Sequence, residues 1–403
     1  MKPGIFIGIA LAFMMLALLT GIFRLMSDYA LYPGILSGLY ALHPIMMVFG
    51  FLATIVMAER VAGISVVPRF KSTRVAVAMV PLTALGVVSE IFGYATGPSL
   101  LRYVGSALLF GGCLAFLIVL IGLTRKTGIK LPFYFMILSV ASLIAASVYT
   151  ASKLPAGDLS LIMLLLSFPV IFILGERVEL TRFVSSGTSS RKFQAAFVSS
   201  ILAVALFALA GLPMSPSLES ELVSAGLAML FATFVVVLSA EVSNFRLLSK
   251  SAQPLQRYVS IHTRIAYSWG LGGIIFAEIY FLVPTLHVNL YDAFIHSIAV
   301  GFIGTMLLAH GPVILPSVTG RRLASTRVSI LPLILLTVAN LIRAAGDLLL
   351  STFYSTLFLS LVGLSGWLVL ASVLAFVPSI LLATSPRKLE GGILARNSDY
   401  ENH

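Results

Sequence analysis

Apolar runs of about twenty residues, separated by short polar connections, fill nearly the whole chain. About twenty residues of helix cross the roughly 30 Å hydrocarbon core of a bilayer. The runs therefore predict twelve membrane-spanning helices near residues 4–23, 38–58, 75–95, 100–123, 131–151, 159–175, 193–212, 220–240, 258–283, 291–314, 326–347 and 356–383. A transmembrane barrel would need shorter segments with polar residues at alternate positions, and these runs are apolar throughout. The expected fold is all-α, a polytopic bundle forming one membrane domain over residues 1–383, followed by a basic, polar tail at 384–403. The first run follows Lys2, is long and lacks an A-x-A cleavage pattern, so it reads as a span rather than a removable signal.

Composition agrees, with 59% hydrophobic and only 10% charged residues where soluble domains carry about 25% charged. The net charge of +11 has a topological explanation. Connections after the even-numbered spans hold twenty of the 26 Lys and Arg residues, whereas those after odd spans hold Arg24, Arg102 and Lys153. The positive-inside rule then predicts cytoplasmic termini and cytoplasmic even connections in a cell-membrane protein, and removes any need for nucleic acid as a partner. Cys113 is alone and sits in the fourth run, so neither a disulfide framework nor a cysteine metal cluster is expected.

Polar residues inside the spans are the candidates for chemistry, because a titratable side chain in hydrocarbon is costly. Four histidines fall in spans: His43 in the second, His262 in the ninth, His296 and His310 in the tenth; His287 lies in the connection before the tenth. On a regular helix the fourteen residues from His296 to His310 bring both to within about 40° of one face and separate them by about 21 Å. With alternating span directions, His43 matches His296 in depth at one face of the membrane, and His262 matches His310 at the other. Imidazole pairs at equal depth on facing helices suit bis-histidine haem or a haem–copper site. A lone membrane histidine can also simply hydrogen-bond a neighbouring helix. Around the first pair, Asp292 stands one turn before His296 and could accept its ring N–H or compensate the helix dipole. Arg343 could meet a haem propionate or pair with Asp347, and Glu90 and Glu278 map to the same half of the membrane. The second, sixth and eighth spans end in similar strings, MAERV, LGERVE and SAEVSNFR. These record either an internal duplication or the ordinary concentration of charge at an interface.

The string HPIMMVFGF at 43–51 resembles the H-E-M-L-F-G-F signature of the NnrS family of haem- and copper-containing membrane proteins linked to nitric oxide tolerance. DAFIHSIAVGFIGTMLLAH at 292–310 is similar to that family's D-A-x-x-H-A-x-x-x-G-x-x-G-x-M segment, and Thr319-Gly320-Arg321 to its following T-G-R. HTRIAYSWGLG at 262–272 and ANLIRAAGD at 339–347 extend the likeness over most of residues 38–383. The resemblance implies twelve helices, one or two haem b groups, copper, and ligand roles for His43, His262 and His296. The chain departs from the pattern in having Pro-Ile after His43, and GPVILPSVTGR where the family has a histidine before T-G-R; both weaken the case for copper. A more distant similarity to subunit I of haem–copper oxidases lacks an adjacent His-His pair and a His-x-x-x-Tyr pattern.

The expected function is binding or redox processing of nitric oxide or a related diatomic, with electrons from an unidentified donor. The alternatives are a two-haem electron carrier and a secondary transporter, the latter suited by twelve helices with intramembrane acids.

Overall fold

The computed structural model describes residues 3–27, 39–65, 73–97, 99–128, 130–153, 158–184, 190–251, 253–283, 287–318, 321–323, 328–353 and 355–386. Twelve helices within them are long and apolar enough to cross a membrane, and the chain is an all-α bundle. In chain order these are α1 (Pro3–Ser27), α2 (beginning as a 3-10 turn at Leu39–Leu42 and ending with Thr54–Ser65), α3 (Thr73–Thr96), α4 (Ser99–Thr127), α5 (Leu131–Thr150) and α6 (Leu159–Val184). There follow α7 (Ser190–Ala210), α8 (Pro216–Ser249), α9 (Pro254–Leu282), α10 (beginning with His287–His296 and ending with Thr305–Val318), α11 (Leu331–Thr352) and α12 (Thr356–Ala383). In hydrocarbon every backbone N–H and C=O must be satisfied within its own helix, which is why apolar runs of this length become helices.

Local chemistry sets the helix ends. Gly97 and Gly128 adopt φ of +84° and +70°, the left-handed conformation that closes α3 and α4 and that glycine reaches without a Cβ penalty. Prolines at the first turn open α8, α9 and α11, where the missing N–H costs nothing. At α8 the Ser215 hydroxyl also accepts from the Leu218 N–H at 3.4 Å.

Consecutive helices pack side by side, and α1 meets α12 to close the ring. Three helices lie inside it. α2, α6 and α10 have 72%, 83% and 61% of their spanning windows buried, against at most 56% for the others, and they contact one another. They stand four helices apart in sequence, so each group of four supplies one central helix. The interior they form is the main apolar core, with Phe49, Phe172 and Phe302 fully or almost fully buried. Beyond the last span, Thr384–Pro386 forms strand β2, antiparallel to β1 at Arg321–Leu323.

Two of the central helices are irregular in the same way. Met46–Ala53 of α2 and Ser297–Gly304 of α10 are π-helical. A π-turn bonds i to i+5 and holds one residue more than an α-turn, so everything beyond it is offset by about 100°. The Thr54 hydroxyl follows the wide turn, donating to the Phe49 carbonyl five residues back at 3.0 Å.

Candidate functional site

Each π-helix lies immediately beyond a histidine. His43 precedes the α2 segment by three residues and His296 directly precedes the α10 segment. The segments and the residue after each also share a sequence, Gly50-Phe-Leu-Ala-Thr54 and Gly301-Phe-Ile-Gly-Thr305. This repeat is visible in the chain, but it is offset by 251 residues and its histidines are out of step by two positions, which hides it from a search keyed on histidine. Its glycines permit close approach. A Cβ on Gly50 would lie 2.8 Å from the Phe13 ring of α1, and one on Gly301 would lie 2.6 Å from both Trp269 of α9 and the Asn340 amide of α11.

The two imidazoles are held alike. His43 Nδ1 lies 2.8 Å from the Ala17 carbonyl of α1, with Gly21 of the same helix leaving room for the ring. His296 Nδ1 lies 2.9 Å from the Asp292 carbonyl one turn back. A carbonyl oxygen only accepts, so in each neutral ring Nδ1 carries the proton and Nε2 keeps its lone pair. That is the tautomer of an Nε2 metal ligand whose orientation is fixed by a second hydrogen bond. The rings are electrostatic neighbours, and the charges of Asp292 and Arg343 reach both. Both side chains keep some accessible surface although their helices are central.

Asp292 therefore serves His296 through its backbone carbonyl. Its carboxylate turns to α11, where Arg343 donates to Asp292 Oδ2 at 3.0 Å and to Asp347 Oδ2 at 2.8 Å. Arg343 and Asp347 are buried, and of the two expected roles of the arginine the ion pair with Asp347 is formed. Two of its five N–H donors are engaged in these pairs.

His262 and His310 are each held by the same kind of bond as His296, to the carbonyl four residues back. His262 Nδ1 lies 2.8 Å from the Tyr258 carbonyl and its ring stacks on Tyr258 at 3.8 Å between centroids. His310 Nδ1 lies 2.8 Å from the Met306 carbonyl and its ring feels the Arg177 guanidinium of α6. α9 is tied to α10 at this level by the Tyr258 hydroxyl donating to the Leu308 carbonyl at 3.1 Å. The π-helix of α10 lies between His296 and His310, so their fourteen-residue spacing does not keep them on one face. Both Nε2 atoms are buried without a hydrogen-bond partner.

The acids lie elsewhere. Glu90 accepts from Ser106 of α4 at 2.8 Å and faces Arg102 at 3.8 Å. Glu278 accepts from Ser224 of α8 at 3.2 Å. Neither is brought to a histidine by these bonds. His287 opens α10, and its side chain lies outside the described residues, as do Thr319 and Gly320. Among the described residues no group of three or more His, Cys, Asp or Glu side chains converges to hold a metal ion. Among the described residues, then, no three such side chains are placed to share a copper ion. A haem needs only one or two axial imidazoles, and the donor set at His43 and His296 fits it.

At the membrane face that carries the arginine-rich connections, the three similar strings form a chain of ion pairs. Arg60 of α2 donates to Glu176 of α6 at 2.8 Å, and the next residue, Arg177, donates to Glu241 of α8 at 2.9 Å. Arg177 and Glu241 are buried, Tyr267 of α9 lies beside them, and Arg60 packs over the Phe172 ring at 5.3 Å. The family model described as Domain of unknown function (DUF8744) matches residues 4–385 of the chain. No curated protein matches it.

Proposed function

The chain belongs to the family described as a domain of unknown function, DUF8744, and from its own side chains we propose that it is a membrane haem protein with His43 and His296 as axial ligands. The observation that carries this reading is the pairing of two neighbouring imidazoles, each with Nδ1 committed to a carbonyl and Nε2 left as a ligand. Arg343 supports it as a buried cation with spare N–H donors beside the rings, suited to a propionate. A bound haem b would supply reversible one-electron chemistry and, with an axial position open, binding of nitric oxide or a related diatomic. The protein's own contribution is to fix the tautomer and orientation of both rings, keep bulk water away, and compensate charge through Asp292, Arg343 and Asp347. We assign it to the cell membrane with both termini in the cytoplasm, on the distribution of basic residues.

The pairing itself favours a second reading. If both imidazoles held one haem, the protein would offer no free site for a substrate and the group would supply electron transfer alone. Spectra of the full-length protein, purified after expression with haem supplied, separate the two. A b-type pyridine haemochrome with reduced bands that shift on adding carbon monoxide or nitric oxide supports diatomic chemistry. Unshifted low-spin bands select the electron carrier, and a colourless protein overturns both.

A further inference from the structure

A cavity of about 320 Å³ opens between α8 and α9, at the membrane face of the basic connections. Its wall is apolar over Leu238, Val242 and Leu271, and Phe245 with Arg246 and Arg264 completes one end. On α8 the lining positions 238, 242, 245 and 246, and on α9 positions 264, 267, 268 and 271, each follow helical spacing along one face. The cleft therefore runs along the helices, and exposed Val242 and Ser268 place its mouth on the lateral surface. That surface meets lipid.

The two guanidinia share one level. The membrane-crossing part of α8 ends at Val242, and Arg246 follows one turn later. Arg264 lies well inside α9, yet its Nη2 donates to the Phe245 carbonyl at 2.7 Å and its guanidinium carbon sits 6.0 Å from the Phe245 ring. The long side chain thus brings its charge to the level of Arg246 while its stem stays in the apolar zone. Both side chains are exposed, and among the described residues neither is ion-paired with a carboxylate. This contrasts with the buried pairs of Arg177 and Arg343. Two uncompensated cations at headgroup height, above an apolar cleft that faces the acyl region, match one ligand chemistry.

We infer that the α8–α9 cleft binds an anionic phospholipid, with Arg246 and Arg264 on the phosphate and an acyl chain along Leu238, Val242 and Leu271. Basic clusters beside membrane spans recognise anionic headgroups, and the Phe245 backbone carbonyl that anchors Arg264 reduces the ordering cost of binding. A zwitterionic lipid fills the same cleft without the net charge match, and inorganic phosphate lacks the chain.

The test is native mass spectrometry of the full-length protein in mild detergent, titrated with phosphatidylglycerol, phosphatidylcholine or inorganic phosphate. Wild type retains phosphatidylglycerol selectively. The double variant Arg246→Gln/Arg264→Gln binds it roughly 30-fold more weakly, the expectation for two lost headgroup charges. Leu271→Trp, which fills the cleft and spares both cations, also loses it. Arg125→Gln, at the end of α4, binds like wild type and shows that general surface charge is not responsible. Equal retention of the two lipids, wild-type binding in both cleft variants, equal loss in Arg125→Gln, or displacement by inorganic phosphate would each overturn the inference.

Discussion

The two ends of the central helices treat polar side chains in opposite ways. Near the basic face, Arg60–Glu176 and Arg177–Glu241 pair each charge with its opposite across α2, α6 and α8. Near the other face, His43 and His296 give one ring nitrogen each to a carbonyl and keep the other, and Arg343 spans two carboxylates beside them. The first arrangement consumes its polar capacity in holding helices together. The second retains ligating capacity within a charge-compensated frame. Burial of ionisable groups is therefore not a sufficient sign of a site; what separates the ion-pair chain from the histidines is whether a lone pair remains after the local bonds are made.

Breaking the scaffold end gives the largest loss of stability. Glu241→Ala leaves the Arg177 guanidinium buried without its partner and should cost about 3–5 kcal/mol, with Arg177→Met/Glu241→Leu recovering much of it; thermal unfolding in detergent measures both. An equal cost for the double variant would mean that the charges themselves are required. Gly301→Ala forces a methyl to within 2.6 Å of Trp269 and Asn340 and should cost about 1–3 kcal/mol, read in the same assay. Because it disturbs the π-helix beside His296, the same change should also lower haem content, whereas Glu241→Ala should not lower haem per folded protein. Ser106→Ala, which deprives buried Glu90 of a 2.8 Å donor, should cost about 1–3 kcal/mol without touching haem. The smallest effect is at the connection before α6. Part burial pushes the Asp158 carboxyl up, but Lys153, the Ser160 hydroxyl and the Leu161 N–H outweigh it and hold the group below the usual range. Its contribution is then present above about pH 4 and lost on acidification below that. Lys153→Ala should remove no more than about 1 kcal/mol at neutral pH.

Much of this contrast was legible in the chain, and the rest was hidden for identifiable reasons. All twelve spans follow from apolar run length. The eleventh is the most displaced, expected at 326–347 and found at Leu331–Thr352, because Pro332 at the first turn and the Ser329 hydroxyl on the Leu331 N–H fix its start. His43, His296 and Arg343 stood out because charge in hydrocarbon is expensive. Their carbonyl partners did not, since a backbone oxygen has no signature in sequence. The π-helix beyond His296 was hidden too, because it changes rotation without changing composition. The ion-pair chain was visible only as three like strings; its meaning depends on partners 116 and 64 residues apart.

The most direct test of the central claim is haem content per folded protein in wild type, His43→Ala and His296→Ala, each purified after expression with haem supplied and checked for an unchanged thermal transition. With His43 and His296 as the ligands, wild type carries a b-type chromophore that is lost in both variants and survives in His262→Ala and His310→Ala. A wild type without haem, or haem retained in full by both His43→Ala and His296→Ala, would contradict it.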